Sequence, residues 1–183
     1  AVMAKDALGR ELSEDEEIFD PGAGSGRLLA TLPLVVFPSL LPKQIRANEI
    51  EIRFKESLSL RMGLAFAHKL SYYNCPNITI SDIQEIDKDT LDKVKIVVMN
   101  PPYISGVQSS QLKNNFATRI KELSGEDSKL NKGQIAFEAL FLELVWNLVK
   151  PGTIIATIFP YQHLTRLSDE VHKLRHFLLN EFG

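Results

Sequence analysis

A single cysteine, Cys75, in 183 residues leaves the chain without an internal disulfide or a cysteine-based zinc cluster, and redox chemistry is not indicated. Long apolar runs are also missing. None approaches the roughly eighteen residues of a membrane-spanning helix, and the opening AVMAKDALGR has neither the basic flank nor the apolar stretch of a secretory leader. A soluble chain in the cytoplasm, with no membrane partner, is the expectation. Charge of either sign is scarce in excess: 21 basic against 23 acidic residues give a net charge of -2. A global positive field for a nucleic-acid backbone is therefore excluded, so such a partner would be gripped largely by other regions. What is present is 44% apolar residues, enough for one domain to bury a core.

Five short runs rich in Ile and Val, EEIFD, QIRANEI, NITISD, KVKIVVMN and GTIIATIFP, are bounded by Gly, Pro, Asn or Asp and read as buried strands. Amphipathic stretches at Ile52 to Tyr73, Ile135 to Val149 and Ser168 to Phe182 read as helices, the last capped by Ser168. Alternation of the two predicts an α/β domain over residues 1–183 with a doubly wound, mostly parallel sheet. Pro33, Pro38 and Pro42 predict a short helix followed by an extended apolar connection before the second strand. The polar stretch from about 104 to 134 is long for a loop and reads as an insertion or mobile lid. Because the sequence stops just after a helix, the last two strands of such a sheet are expected beyond it.

Chemistry concentrates in two places. In FDPGAGSG, at 19 to 26, a strand ends in Asp20, and Gly22, Gly24 and Gly26 alternate before a helix starting near Arg27. Glycines let the backbone turn and approach a ligand closely, and free amides at a helix start favour a negative group. Asp20 would repel a pyrophosphate but can take the ammonium of an amino-acid tail. The spacing G-x-G-x-G also departs from the dinucleotide pattern. Glu49, closing the second strand, is placed to accept two ribose hydroxyls, and Asp82, after the third, an adenine amino group. Singly, each of these acids is more often a helix cap or a surface charge; three successive acidic strand tips behind a glycine loop reverse that preference.

The second place is MNPPY, at 99 to 103. Pro101 and Pro102 fix the backbone and donate no hydrogen bonds, so the turn presents the Asn100 side-chain oxygen and the Pro101 carbonyl as acceptors for an NH2 group. Tyr103 offers a face on which a planar group can stack.

With these segments in this order, the chain resembles the amino-methylating DNA methyltransferases in which the cofactor loop precedes NPPY, including type I modification subunits and fused type IIG enzymes. FDPGAGSG is similar to their D-P-x-x-G-S-G loop, NEIE and ISDI to their acidic second- and third-strand elements, and FLELVWNLVKPGTIIATIFP to their helix, K-P-G turn and fifth strand. The resemblance implies a Rossmann-like fold of the class I methyltransferase type. It implies S-adenosylmethionine as cofactor, held by Asp20, Gly22, Ala23, Gly24, Gly26, Glu49, Asp82 and Phe141. It also implies methyl transfer to the exocyclic nitrogen of adenine at Asn100, Pro101, Pro102 and Tyr103, within a restriction-modification system. Such transfer needs no strong base, only an aligned lone pair and dipoles that tolerate positive charge on nitrogen. DNA, bound mostly by other regions, and specificity or restriction subunits or domains are the implied partners. A protein-glutamine or RNA methyltransferase, which also uses NPPY, stays open as the alternative.

Some family features are missing. Ala136, Phe137 and Glu138 stand where the family has a polar residue and a tyrosine, so no role is carried onto them. The family's methionine-clamping element is not recognisable in residues 1–16. His172 and His176 have zinc-ligand spacing but no acidic partner or third ligand, so no metal is expected. A place for His163 facing the pocket is the lesser reading. Lys113, Arg119, Lys121, Lys129 and Lys132 read as a solvated surface, with Asp127 among them, in preference to a phosphate-binding patch.

Overall fold

The computed structural model describes residues 2–69, 71, 74–104, 108–131, 136–165 and 167–181. The chain divides into two compact units, one of residues 1–100 and 149–157 and the other of 101–148 and 158–183.

The first unit holds all five expected strands: β1 (Glu17–Asp20), β2 (Ile45–Glu49), β3 (Asn77–Ile80), β4 (Val94–Met99) and β5 (Ile154–Thr157). They form one parallel sheet in the order β3-β2-β1-β4-β5. The chain winds outward from β1 to β3, then crosses back to lay β4 on the other side of β1. The order reverses there, and in such sheets the carboxyl ends of the two strands flanking the reversal open a crevice for ligands. β1 ends in Asp20, and Asn100 follows β4.

One face of the sheet, through Ile18, Ala47, Ile96 and Val98, packs on α1 (Val2–Leu8), α2 (Arg27–Thr31) and α3 (Lys55–Ala65), which contribute Ala4, Leu29, Leu58 and Met62. A glycine makes this packing possible. Gly26 caps α2 at φ +78°, and a Cβ there would lie 2.6 Å from Leu58 Cδ1. Only a residue without a side chain can both adopt that backbone and let α2 approach α3.

The proline-rich segment behaves as expected at its start. α2 is five residues long and runs into a π-helical turn, Leu32–Val36, with Pro33 near its beginning, where a missing N–H costs least. Phe37 N–H closes the turn on Leu32 O at 2.8 Å, and Phe37 and Leu40 bury themselves in the connection to β2. The next helix is shorter than expected. A 3-10 turn, Ile52–Phe54, leads into α3, which ends at Ala65 and not at Tyr73, itself outside the described residues. The chain turns at 66–69 so that Lys69 Nζ donates to the carbonyls of Pro38 (2.5 Å) and Leu40 (3.1 Å). A tertiary bond to the proline segment thus overrides local helical periodicity.

In the second unit, the polar stretch read as an insertion or mobile lid has regular structure of its own. Much of it is α4 (Gln108–Ser124), a 17-residue helix that buries Phe116 and Ile120. Leu112, Phe116 and Ile120 recur every four residues, a helical stripe hidden by the polar positions between them. Phe116 stacks edge-on against Phe137 of α5 (Phe137–Leu148) at 4.8 Å. The following polar loop is pinned by Glu143 of α5, 1% exposed, which accepts from Ser128 Oγ (2.6 Å), Lys129 N (2.6 Å) and Leu130 N (3.2 Å). After the short α6 (Gln162–Thr165) comes α7 (Asp169–Glu181), whose Phe177 meets Trp146 edge-on at 5.5 Å. Ser168 caps α7 as expected, its Oγ accepting from Val171 N at 3.4 Å. No described helix is long and apolar enough to cross a membrane.

Candidate active site

Asp20, the last residue of β1, is 2% exposed, and one carboxylate oxygen accepts from Gly22 N at 3.1 Å. Among the described residues no cation pairs with it. Burial pushes its pKa up to about 7. The Gly22 N–H resists that rise and the nearby Glu49 charge adds to it. A buried carboxyl poised to ionise when a cation arrives is the kind of group an ammonium-bearing ligand completes.

The loop beyond it is drawn against β2. Glu49 is 6% exposed, its Oε2 accepting from Gly24 N at 2.6 Å and its Oε1 from Glu51 N at 2.9 Å. Gly24 sits at φ +53° with open space where a side chain would be, so the loop presents bare backbone there. Ala23 is buried, and its N–H donates to Asn48 O at 2.9 Å. Asp82 follows β3 and caps a 3-10 turn, Ile83–Glu85, accepting from Gln84 N (2.9 Å) and Gln84 Nε2 (3.0 Å). A carboxylate offers about four acceptor positions, so both Glu49 and Asp82 keep capacity for a ligand.

Four of the sequence-predicted groups therefore come together on the carboxyl edge of one sheet: the glycine loop with Asp20, Glu49, Asp82, and Asn100 directly after β4. The others belong to the second unit. There Pro101 is buried and Pro102 half-buried, while Tyr103 is 53% exposed with its hydroxyl donating to Ile158 O at 3.3 Å. Burial, then the Glu138 charge, pushes the Tyr103 pKa up, so the phenol stays neutral. Phe141 is 4% exposed and packs with Phe116 and Phe137.

Two contributors escaped the sequence reading. Ile50, directly after Glu49, is 62% exposed, an apolar surface beside that buried acid. Its signal was visible as an apolar residue between two acids in NEIE. Arg61 Nε donates to Ser25 O at 2.8 Å and braces the loop from α3. Nothing local marks a contact across that much sequence. Among the basic residues of 113–132, Arg119 pairs with Glu122 (3.1 Å), Lys121 with Asp127 (2.8 Å) and Lys129 with Glu181 (2.5 Å), as a solvated surface would have them. Lys132 lies outside the described residues. His172 and His176 lie on the exposed side of α7; the side chain of His163 is outside what is described.

Comparison with known proteins agrees with this geometry. The chain is similar to the type IIG restriction endonuclease BpuSI, at 46% identity and a TM-score of 0.94 over all of this chain and 21% of BpuSI. It is also similar to the methyltransferase subunit of the type I restriction-modification system of Streptococcus thermophilus, at 21% identity and a TM-score of 0.62 over 98% of this chain and 37% of that one. DrdV, solved in complex with DNA, matches at 18% identity and a TM-score of 0.69 over 98% of this chain and 21% of its own. These last two show a shared fold. The chain spans about a fifth of BpuSI. No functionally curated protein matches it. The Eco57I restriction-modification methylase model matches residues 42–182, the greater part of the chain, which places it in that family. With that match over most of its length, the chain belongs to the Eco57I restriction-modification methylases.

Proposed function

We propose that the chain is the cofactor-binding and catalytic core of a DNA methyltransferase that acts on the exocyclic amino nitrogen of adenine within a restriction-modification system. One observation carries the reading: Asp20 with its glycine loop ends β1, and Asn100 follows β4, the strands that flank the reversal of the sheet. Family membership and the 46% identity to BpuSI point the same way.

The residues fit S-adenosylmethionine. Asp20, buried and without a cation, would take its ammonium and lose its excess proton in doing so. The bare backbone of Gly22, Ala23 and Gly24 leaves room for the amino-acid tail, Gly26 sets the start of the helix behind it, Glu49 receives the ribose hydroxyls, and Asp82 the adenine amino group. Phe141 is assigned to the adenine side by family resemblance. When bound, the cofactor supplies an electrophilic methyl on a sulfonium. On the substrate side, the Asn100 side-chain oxygen and the Pro101 carbonyl accept from the NH2 group and orient its lone pair. Pro102 keeps that turn rigid, and the exposed Tyr103 ring stacks on the base. Inside a duplex this NH2 group is engaged in base pairing, so the base has to leave the stack to meet these acceptors. DNA is held mainly by regions outside this chain, with specificity or restriction subunits or domains as further partners.

The test is to incubate the protein with duplex DNA and methyl-labelled cofactor. Label is expected on adenine, and Asn100→Ala should lower the rate by about 10²-fold or more. Label confined to protein or RNA overturns the reading.

A further inference from the structure

We infer that Asn48 and Ser81 form a positioning pair that fixes the spacing between the glycine loop and the two acids of β2 and β3. The inference rests on the cofactor reading of this edge and concerns residues to which that reading gives no role.

Asn48 is 2% exposed, and its amide is fully engaged. Its Nδ2 donates to Ser81 O (3.1 Å) and Pro21 O (3.4 Å), while its Oδ1 accepts from Ser81 Oγ (3.0 Å). Its backbone carbonyl takes Ala23 N at 2.9 Å, and Ser81 N donates to Glu49 O at 3.0 Å. The positions of these partners are informative. Pro21 directly follows Asp20, Asn48 directly precedes Glu49, and Ser81 directly precedes Asp82. The amide and the hydroxyl thus stand next in sequence to two of the acids, Glu49 and Asp82, and the amide reaches the carbonyl of the residue after the third, Asp20.

The sheet does not require this network. Backbone pairing between β1 and β2 ends at Asp20 and Ala47, and between β2 and β3 at Glu49 and Ile80. Asn48 is one residue past the end of the β1–β2 pairing and still pairs with Thr79 of β3, and its side chain reaches Pro21 and Ser81, which follow the last residues of β1 and β3. A ligand that engages all three acids depends on their mutual spacing there; supporting groups one step behind a site set such spacing. The chemistry also demands an amide, because the same side chain must donate to two carbonyls and accept from a hydroxyl. An aspartate at 48 would face both carbonyls with negative charge, and a leucine would strand three buried polar groups.

Ser81→Ala, Ser81→Thr and Asn48→Asp should be compared with the parent chain by calorimetric titration with S-adenosylmethionine and with 5′-methylthioadenosine, which lacks the group Asp20 receives, alongside thermal unfolding. Ser81→Ala is expected to weaken S-adenosylmethionine about tenfold and methylthioadenosine by less than about twofold, with Tm nearly unchanged. Ser81→Thr, which keeps the hydroxyl, should restore affinity, and Asn48→Asp should be the weakest binder. Unchanged affinity in Ser81→Ala overturns the pair while leaving the cofactor reading intact. Parallel losses of both ligands in step with Tm overturn it as well, by reducing the network to a structural one. A parent chain that binds no S-adenosylmethionine removes the cofactor reading and the pair together.

Discussion

Glu16, the residue before β1, and Asp20, the last residue of β1, are 8% and 2% exposed, and their carboxyl groups are in opposite condition. Glu16 receives both terminal nitrogens of Arg10 at 2.7 Å and the Ser13 N–H at 3.0 Å. Those bonds, the guanidinium foremost and against the cost of burial, bring its pKa down to about 2. Asp20 has one backbone N–H, and burial takes its pKa up to about 7. The satisfied acid holds the entry to the strand in place. Asp20, with a single N–H donor among the described residues, is the acid that an arriving cation would stabilise more.

The largest expected effect comes from removing that acid. An acid whose pKa is raised by folding adds stability that is complete below its unfolded value, near 3.8, and is lost as pH climbs through about 7. Asp20→Asn escapes that loss. Denaturant titrations of parent and variant should nearly coincide at pH 4 and diverge until the variant is the more stable by roughly 4 kcal/mol above pH 8. A variant no more stable than its parent at pH 8 would erase the contrast between the two acids.

Ligand binding should invert that ranking. An ammonium favours the ionised carboxylate, so parent affinity for S-adenosylmethionine should rise with pH up to about 7 and then level off. Asp20→Asn should bind about a hundredfold more weakly above that pH, with the pH dependence gone. Calorimetry at pH 6 and pH 8 reads both, and equal affinities of parent and variant at pH 8 would detach Asp20 from the cofactor.

Ahead of β1, Arg10→Ala leaves Glu16 with the Ser13 N–H alone. Because Arg10 is exposed, only a small loss of stability is expected at neutral pH. A lowered pKa contributes stability present above about 4.5 and lost as pH falls towards 2, so the difference between parent and variant should shrink over that window. Cofactor affinity should not move; a parallel loss of affinity would mean that the two acids are not independent.

How much of this was legible beforehand follows the range of the interactions. The strands and the acids at their tips could be read because each is a local pattern: a β-branched run, a terminal acid, a glycine. The strand order follows less directly, yet the alternation of strand and helix left few choices. The early end of α3 was not legible, since it depends on Lys69 reaching Pro38 and Leu40. Nor was α4, whose stripe of Leu112, Phe116 and Ile120 is diluted by polar neighbours, and whose following loop owes its order to Glu143 from a later helix. Asp20 itself was named from sequence. Its burial without, among the described residues, a cation such as Arg10 supplies to Glu16 needed three dimensions.

Ile50 extends the contrast to a third kind of residue, neither satisfied nor buried. At 62% exposure it packs little, so Ile50→Ala should alter stability by no more than about 0.5 kcal/mol. If its surface is instead held for the cofactor's nucleoside beside Glu49, losing the methylenes should weaken S-adenosylmethionine by roughly threefold to fivefold, from the apolar area no longer covered. The loss should be the same at pH 6 and pH 8, because no titrating group is involved. That separates it from the Asp20 effect on the same ligand. A pH-dependent loss at Ile50 would mean that the substitution acts through the buried acids, and that the apolar surface and the buried carboxyl are one feature.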